Sequence, residues 1–207
     1  MCVIVHKPQE ARIPEELVQA ALSLNPDGWG LMGFAANGQL ITERHAHTDA
    51  SSISTALRRH ADADLVLHLR QRTRGDGGAE NAHPFKVAEH LYLMHNGTLP
   101  IASRVAGRSD SWHFVNDILR PLHQRHPTLF EDTAFLHLLE MSLKPDNKVV
   151  LLDSQSRRIA ILNHAHGVEF EGLWLSNTRW IDRRLLPLAD TPQPQQRSYA
   201  ADKLHFG

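Results

Sequence analysis

The order of the apolar runs limits this chain more than any other feature. Short strand-like runs and amphipathic helical runs come in groups rather than in strict strand–helix alternation. A parallel doubly wound sheet needs a helix after each strand, so grouped elements point to an α+β fold with antiparallel sheets. Residues 2–6 read as a short apolar strand, and a helix follows near 14–24, with Pro14 at its first position and Leu17, Val18, Ala21 and Leu22 as its stripe. Trp29 to Glu43 reads as a hairpin turning on the two residues Asn37-Gly38. A second helix begins near Thr48 to Ser51 and buries Ile53, Ala56 and Leu57. Strands are expected at Leu65–Leu69, Leu91–Met94, Val149–Leu152 and Arg158–Leu162, with one more from Val168 to Leu175. Ser109-Asp110-Ser111 fits an N-cap before a helix that buries Phe114, Val115, Ile118 and Leu119, and another helix covers 128–142. Residues 2–186 read as one domain and 187–207 as an irregular tail rich in Pro and Gln.

Composition excludes several classes of partner. The formal net charge is -1 and no basic block occurs, so neither nucleic acid nor a membrane surface is an expected partner. The N-terminus carries no basic-then-apolar leader, and no run approaches the ~20 apolar residues of a membrane span. A single cysteine precludes an intrachain disulfide and fits a reducing compartment, which gives a cytoplasmic expectation. The 15 histidines include two His-x-His pairs, His45/His47 and His164/His166. On a strand such a pair shares a face and could hold a metal, but no Cys or carboxylate stands at ligand spacing, and strand-end decoration is the simpler reading.

That one cysteine is Cys2, directly behind the initiator methionine. On position alone it reads as a small hydrophobe heading a strand. If Met1 is removed, one residue holds both a thiol and a free α-amine. The amine, with an ordinary pKa of about 7.7–8.0, can act as base for a thiol whose ordinary pKa is about 8.5.

Further short segments bear on that choice. They are Asp27-Gly28-Trp29-Gly30, the run His68-Leu69-Arg70-Gln71-Arg72-Thr73-Arg74-Gly75 with Asn81-Ala82-His83-Pro84-Phe85 behind it, His95-Asn96-Gly97-Thr98-Leu99, and Asp110 between two serines. Each alone is weak, as a surface charge, a turn or a helix cap. In this order behind Cys2, the set resembles the class II glutamine amidotransferases, which are N-terminal nucleophile hydrolases, and most of all their small stand-alone members. The resemblance spans roughly residues 2–180. It implies a four-layer αββα sandwich of two antiparallel sheets and no metal or organic cofactor. Cys2 matches the nucleophile. Arg70 and Thr73 match the groups that hold the α-carboxylate of glutamine, a task that suits a bidentate guanidinium. Asn96 and Gly97 match the oxyanion hole. Asp110 matches the carboxylate that receives the α-ammonium, and Gly28 falls where the family brings backbone close to the nucleophile.

The resemblance implies hydrolysis of the glutamine side-chain amide through a Cys2 thioester, releasing ammonia for an unnamed acceptor, with a separate synthase subunit as a possible partner. Relatives often carry an aromatic residue directly after the arginine and small residues next. Gln71, Arg72 and Arg74 stand in that loop here, which leaves room for a γ-glutamyl amide other than free glutamine, as in the stand-alone enzyme of ergothioneine biosynthesis. A different reading is a catalytically silent partner subunit that retains Met1. Removal of Met1 is expected, because a small second residue permits it.

Overall fold

The computed structural model describes residues 2–188, so the expected tail lies, from residue 189 onward, outside the described residues. Among the described residues, ten strands form two sheets in which every pairing is antiparallel. They are β1 (Val3–Lys7), β2 (Trp29–Phe34), β3 (Leu40–His45), β4 (Asp64–Leu69), β5 (Phe85–Lys86), β6 (Leu91–Asn96), β7 (Lys148–Asp153), β8 (Arg158–Leu162), β9 (Val168–Phe170) and β10 (Leu173–Leu175). The larger sheet runs β3-β2-β4-β1-β10-β9 and the smaller β5-β6-β7-β8.

Strand alternation divides the apolar side chains into three layers of contact. In β1, Val3 and Val5 face α1 (Glu15–Leu22) and α2 (Ala50–Arg59), meeting Leu17, Val18, Ala21, Ile53 and Ala56. Ile4 faces the other way. With Met32, Val66 and Trp174 it meets Met94, Val150 and Leu152 of the smaller sheet. The outer face of that sheet, through Leu91, Leu93, Val149 and Leu151, packs on Phe114, Val115, Leu119 and Leu136. Helix, sheet, sheet, helix is therefore the order of layers, as the resemblance implied.

Several local expectations needed correction. Pro14 is the extended cap of α1 rather than its first helical residue. The β2–β3 connection is not a two-residue turn. Gln39 pairs with Ala35, whose N–H donates to the Gln39 carbonyl at 2.9 Å, leaving the three-residue loop Ala36–Gly38. The run Val168–Leu175 is two strands, because the chain reverses at Glu171-Gly172. The last helix, α5, spans Thr133–Ser142; Asp132 caps it by accepting from Ala134 N at 2.8 Å, and Leu129–Glu131 is a separate 3-10 turn. Ser109 does cap the helix after it, accepting from Trp112 N at 3.1 Å. That helix runs as α3 (Asp110–His113), a π-helical segment (Phe114–Leu119) and α4 (Arg120–Arg125). The wider π turn carries Ile118 off the buried stripe, leaving it 38% exposed while Val115 and Leu119 stay buried.

Candidate active site

The antiparallel register builds the site. Val3 stands opposite Leu69, so one step beyond the strand ends Cys2 comes beside Arg70. Residues 2, 4, 66, 68 and 70 share the face that looks into the gap between the sheets. On the smaller sheet, Met94 and Asn96 look into the same gap from β6. Cys2, Arg70, Thr73, His83, His95, Gly97 and Asp110 then line one cavity of about 20 Å³, room for about one water. Asn96 and Gly28 are not among its lining residues. Larger cavities, of about 320 and 190 Å³, lie elsewhere and gather no comparable set of convergent polar groups.

The Cys2 thiol donates to the Gln71 carbonyl at 3.6 Å, and the Cys2 carbonyl accepts from Asn177 Nδ2 at 3.0 Å. Burial pushes the thiol up from its ordinary range, while the Arg70 guanidinium pulls the other way. The thiol is thus protonated at neutral pH and needs a base to become a nucleophile. Arg70 is buried; its Nη2 donates to the carbonyls of Arg74 at 3.3 Å and Asp76 at 3.0 Å. Its Nη1 is buried without a hydrogen-bond partner. Asp110 opens α3, and its Oδ2 accepts the Leu99 N–H at 2.6 Å. Thr73 lies exposed on the rim.

Asn96 ends β6 and Gly97 follows it. Asn96 Nδ2 donates to Ser176 Oγ at 2.8 Å, and Asn96 Oδ1 is buried without a partner. Gly97 has φ +144, and a Cβ there would collide with the Asn147 side chain, so only glycine presents its backbone at this point. Gly28 reaches the site through Arg70. Its carbonyl accepts the Arg70 N–H at 2.8 Å, and the Asp27 N–H donates to the Arg70 carbonyl at 2.9 Å.

Sequence reasoning assigned no role to three buried histidines beneath the cavity: His68, His83 and His95. His95 Nε2 donates to Asn147 Oδ1 at 3.0 Å, so its Nδ1 accepts from the Ser111 hydroxyl at 2.7 Å. His68 Nε2 donates to the His95 carbonyl at 3.2 Å. His83 lies tilted against His68 with ring centres 4.0 Å apart and meets Phe85 edge-on at 4.6 Å, and neither of its ring nitrogens has a hydrogen-bond partner. Burial pushes all three down, His68 to about 3. The segment carrying His83 crosses directly over Gly30, where any Cβ would strike the His83 carbonyl. This close approach explains the second glycine of Asp27-Gly28-Trp29-Gly30. Asn81 also escaped notice. Its Nδ2 donates to the carbonyls of Asp76 at 3.0 Å and Gly107 at 2.8 Å, and its Oδ1 accepts from Ser109 N at 2.8 Å, tying the arginine loop to α3. Asn81 and His83 both stood in the segment 81–85 that the resemblance rests on.

The His-x-His pairs lie apart from this site. His45 stacks on Trp29 at 4.1 Å, and His164 stacks on Trp174 at 5.4 Å within a 3-10 turn rather than on a strand. Among the described residues no group of three or more His, Cys, Asp or Glu side chains is placed to hold a metal ion. Among them, too, no helix is long and apolar enough to cross a membrane.

Comparison with known proteins bears on the same residues. The family model "Glutamine amidotransferases class-II" matches residues 18–154, a stretch that contains Arg70, Asn96, Gly97 and Asp110 and begins after Cys2. No curated protein matches. Among solved structures, the chain is similar to glutamine phosphoribosylpyrophosphate amidotransferase from B. subtilis, complexed with ADP and GMP. Identity there is 12% and the TM-score 0.44, over 87% of this chain and 42% of that one, so this chain spans less than half of that relative. It is also similar to a glutamine aminotransferase class-II domain protein from Silicibacter pomeroyi, at 17% identity and a TM-score of 0.37, over 74% of this chain and 73% of that one. The chain belongs to the class II glutamine amidotransferases.

Proposed function

We propose that this chain, once Met1 is removed, hydrolyses the side-chain amide of glutamine or of a γ-glutamyl amide through a thioester on Cys2. One observation carries the reading. A thiol, a guanidinium, a carboxylate and a glycine N–H, from four separate segments, converge on a single small cavity. The guanidinium suits an α-carboxylate and Asp110 an α-ammonium, so the pair selects an amino acid end. The unpartnered Arg70 Nη1 and the unpartnered amide end of Asn96 also support it. With the Asn96 amide turned end for end, Oδ1 accepts the Ser176 hydroxyl hydrogen and Nδ2 is left as a donor for an oxyanion.

The steps follow from these groups. The Cys2 α-amine takes the thiol proton, and the thiolate attacks the side-chain carbonyl. Asn96 and the Gly97 N–H stabilise the tetrahedral oxyanion. The nitrogen leaves as ammonia, or as an amine, carrying the proton back from the α-ammonium. Water then cleaves the thioester.

The test is glutamate and ammonia release by the Met1-processed protein from glutamine and a panel of γ-glutamyl amides, alongside Cys2→Ala. Turnover that vanishes in Cys2→Ala is the expected result. Undiminished turnover in Cys2→Ala would sink the proposal, and an intact Met1 in the mass of the cellular protein would favour the silent subunit.

A further inference from the structure

An α-amino acid carries its two charges on one carbon, so a site that holds both must keep its cation and its carboxylate at a set separation. Arg70 and Asp110 line the same cavity from different elements, Arg70 just after β4 and Asp110 at the start of α3. The Asn81 side chain, 1% exposed, joins those elements. Its Nδ2 donates to the Asp76 carbonyl at 3.0 Å, and the same carbonyl accepts from Arg70 Nη2 at 3.0 Å. Its Oδ1 accepts at 2.8 Å from the N–H of Ser109, which caps α3 and precedes Asp110. One amide is therefore a single shared acceptor away from the guanidinium and one peptide away from the carboxylate. Nδ2 also donates to the Gly107 carbonyl at 2.8 Å. Two carbonyls need an N–H pair and the Ser109 N–H needs an oxygen; an aspartate lacks the donors and a serine has only one. Both amide hydrogens are used within the protein, so Asn81 acts on substrate through its neighbours.

We propose that Asn81 is the positioning residue that sets the span between the Arg70 guanidinium and the Asp110 carboxylate. It thereby sets a preference for substrates that carry both an α-carboxylate and an α-ammonium. The inference rests on the amino-acid reading of the cavity given above and goes beyond it. Either charge alone would hold one group of many compounds. A fixed span lets one small molecule meet both, because the second contact needs little further ordering once the first is made. Without the amide, the arginine loop and the segment before α3 keep the Asp76 N–H to Gly107 carbonyl bond at 2.8 Å and the Glu80–Arg108 ion pair. The carbonyl that aims Arg70 Nη2 is then no longer tied to Ser109.

Calorimetry on the Cys2→Ala protein, which separates binding from turnover, tests this with three compounds. L-glutamine carries both charges; glutaramate lacks the α-ammonium and 4-aminobutanamide lacks the α-carboxylate. When Asn81→Ala is added, the affinity for L-glutamine is expected to fall on the order of tenfold, while each analogue, settling on its single anchor, changes by no more than about twofold. Gly75→Ala gives a second route that leaves Asn81 in place. A Cβ at Gly75 falls 2.9 Å from Asn81 Nδ2 and 2.8 Å from Ser109 N, so it forces the two apart, and the same selective loss is expected. Three compounds weakened alike would make Asn81 a structural tie only, and an unchanged affinity for L-glutamine would place the span in other contacts; either result overturns the inference. Cys2→Ala protein with Gly75 and Asn81 intact that binds none of the three overturns the amino-acid reading instead, so the two failures are distinguishable.

Discussion

Lowering the pH below neutrality should unfold this protein earlier than its carboxylates alone would dictate. His68, His83 and His95 are 0%, 4% and 2% exposed, and burial holds each neutral, His68 down to about 3. In the unfolded chain each titrates near 6.5. The folded pKa is the lower one, so below neutrality the unfolded state binds protons that the folded state refuses. Stability is fully present above the unfolded value and is lost as the pH falls below it. Between about pH 7.5 and 5.5 a histidine that stays neutral when folded costs about 1.4 kcal/mol, so His68 and His83, held furthest down, together cost about 3 kcal/mol, and His95 adds a smaller share. Set against a typical total of about 5–15 kcal/mol, that is a large share. Urea unfolding, followed by tryptophan fluorescence at half-unit steps through this window, measures it directly. His83→Phe should remove between about a third and a half of the slope. A stability that stays level down to about pH 5.5 would refute the argument, since the two imidazoles held furthest down already require the loss.

Three further predictions follow from the site. Because burial raises the Cys2 thiol, alkylation by iodoacetamide should be slow near neutrality and accelerate with each step from about pH 7 to 9; a flat profile would mean a preformed thiolate. Arg70→Lys keeps a charge but loses the planar fork, so KM for glutamine should rise on the order of tenfold, about 1.4 kcal/mol, with a smaller change in kcat. In Gly30→Ala the new Cβ meets the backbone carbonyls of His83 and, at 2.6 Å, Glu43, neither of which can rotate away. Soluble yield or thermal midpoint should therefore fall sharply, and a variant as stable as wild type would show that the 82–84 segment can shift.

The sequence made the elements legible but not their junctions. Alternation in β1, β4 and β6 marks two-sided strands, and the segments holding Arg70, Asn96 and Asp110 stood out by residue type. What local pattern does not carry is register, and register is what sets Cys2 beside Arg70 across a separation of 68 positions. The histidines went unread for a related reason. A histidine on a strand looks the same whether it faces solvent, as His45 partly does, or is sealed like His68. Ser176, Asn177 and Asn147 lie in connecting segments whose amide and hydroxyl residues suit any turn, and only the packed sheets bring them against Cys2, Ile4 and His95. The π-helical segment leaves no sequence mark either, which is why Ile118 was placed on the wrong face.

The position of β1 has a consequence for the order of events during synthesis. It is an inner strand, paired on one side with β4 and on the other with β10, and the Ile4 N–H closes onto Ser176 Oγ at 2.9 Å. The residues of β1 therefore await a partner made about 170 positions later. Until β10 is made, β1 lacks one of its two neighbours and Cys2 beside it is not held in place. Removal of Met1, as the proposed function requires, would act before folding closes β1 between its two neighbours. On the thioester reading proposed above, Cys2 is therefore seated only once β10 has been made, and a fragment ending before β10 carries the thiol without one of the two strands that hold β1.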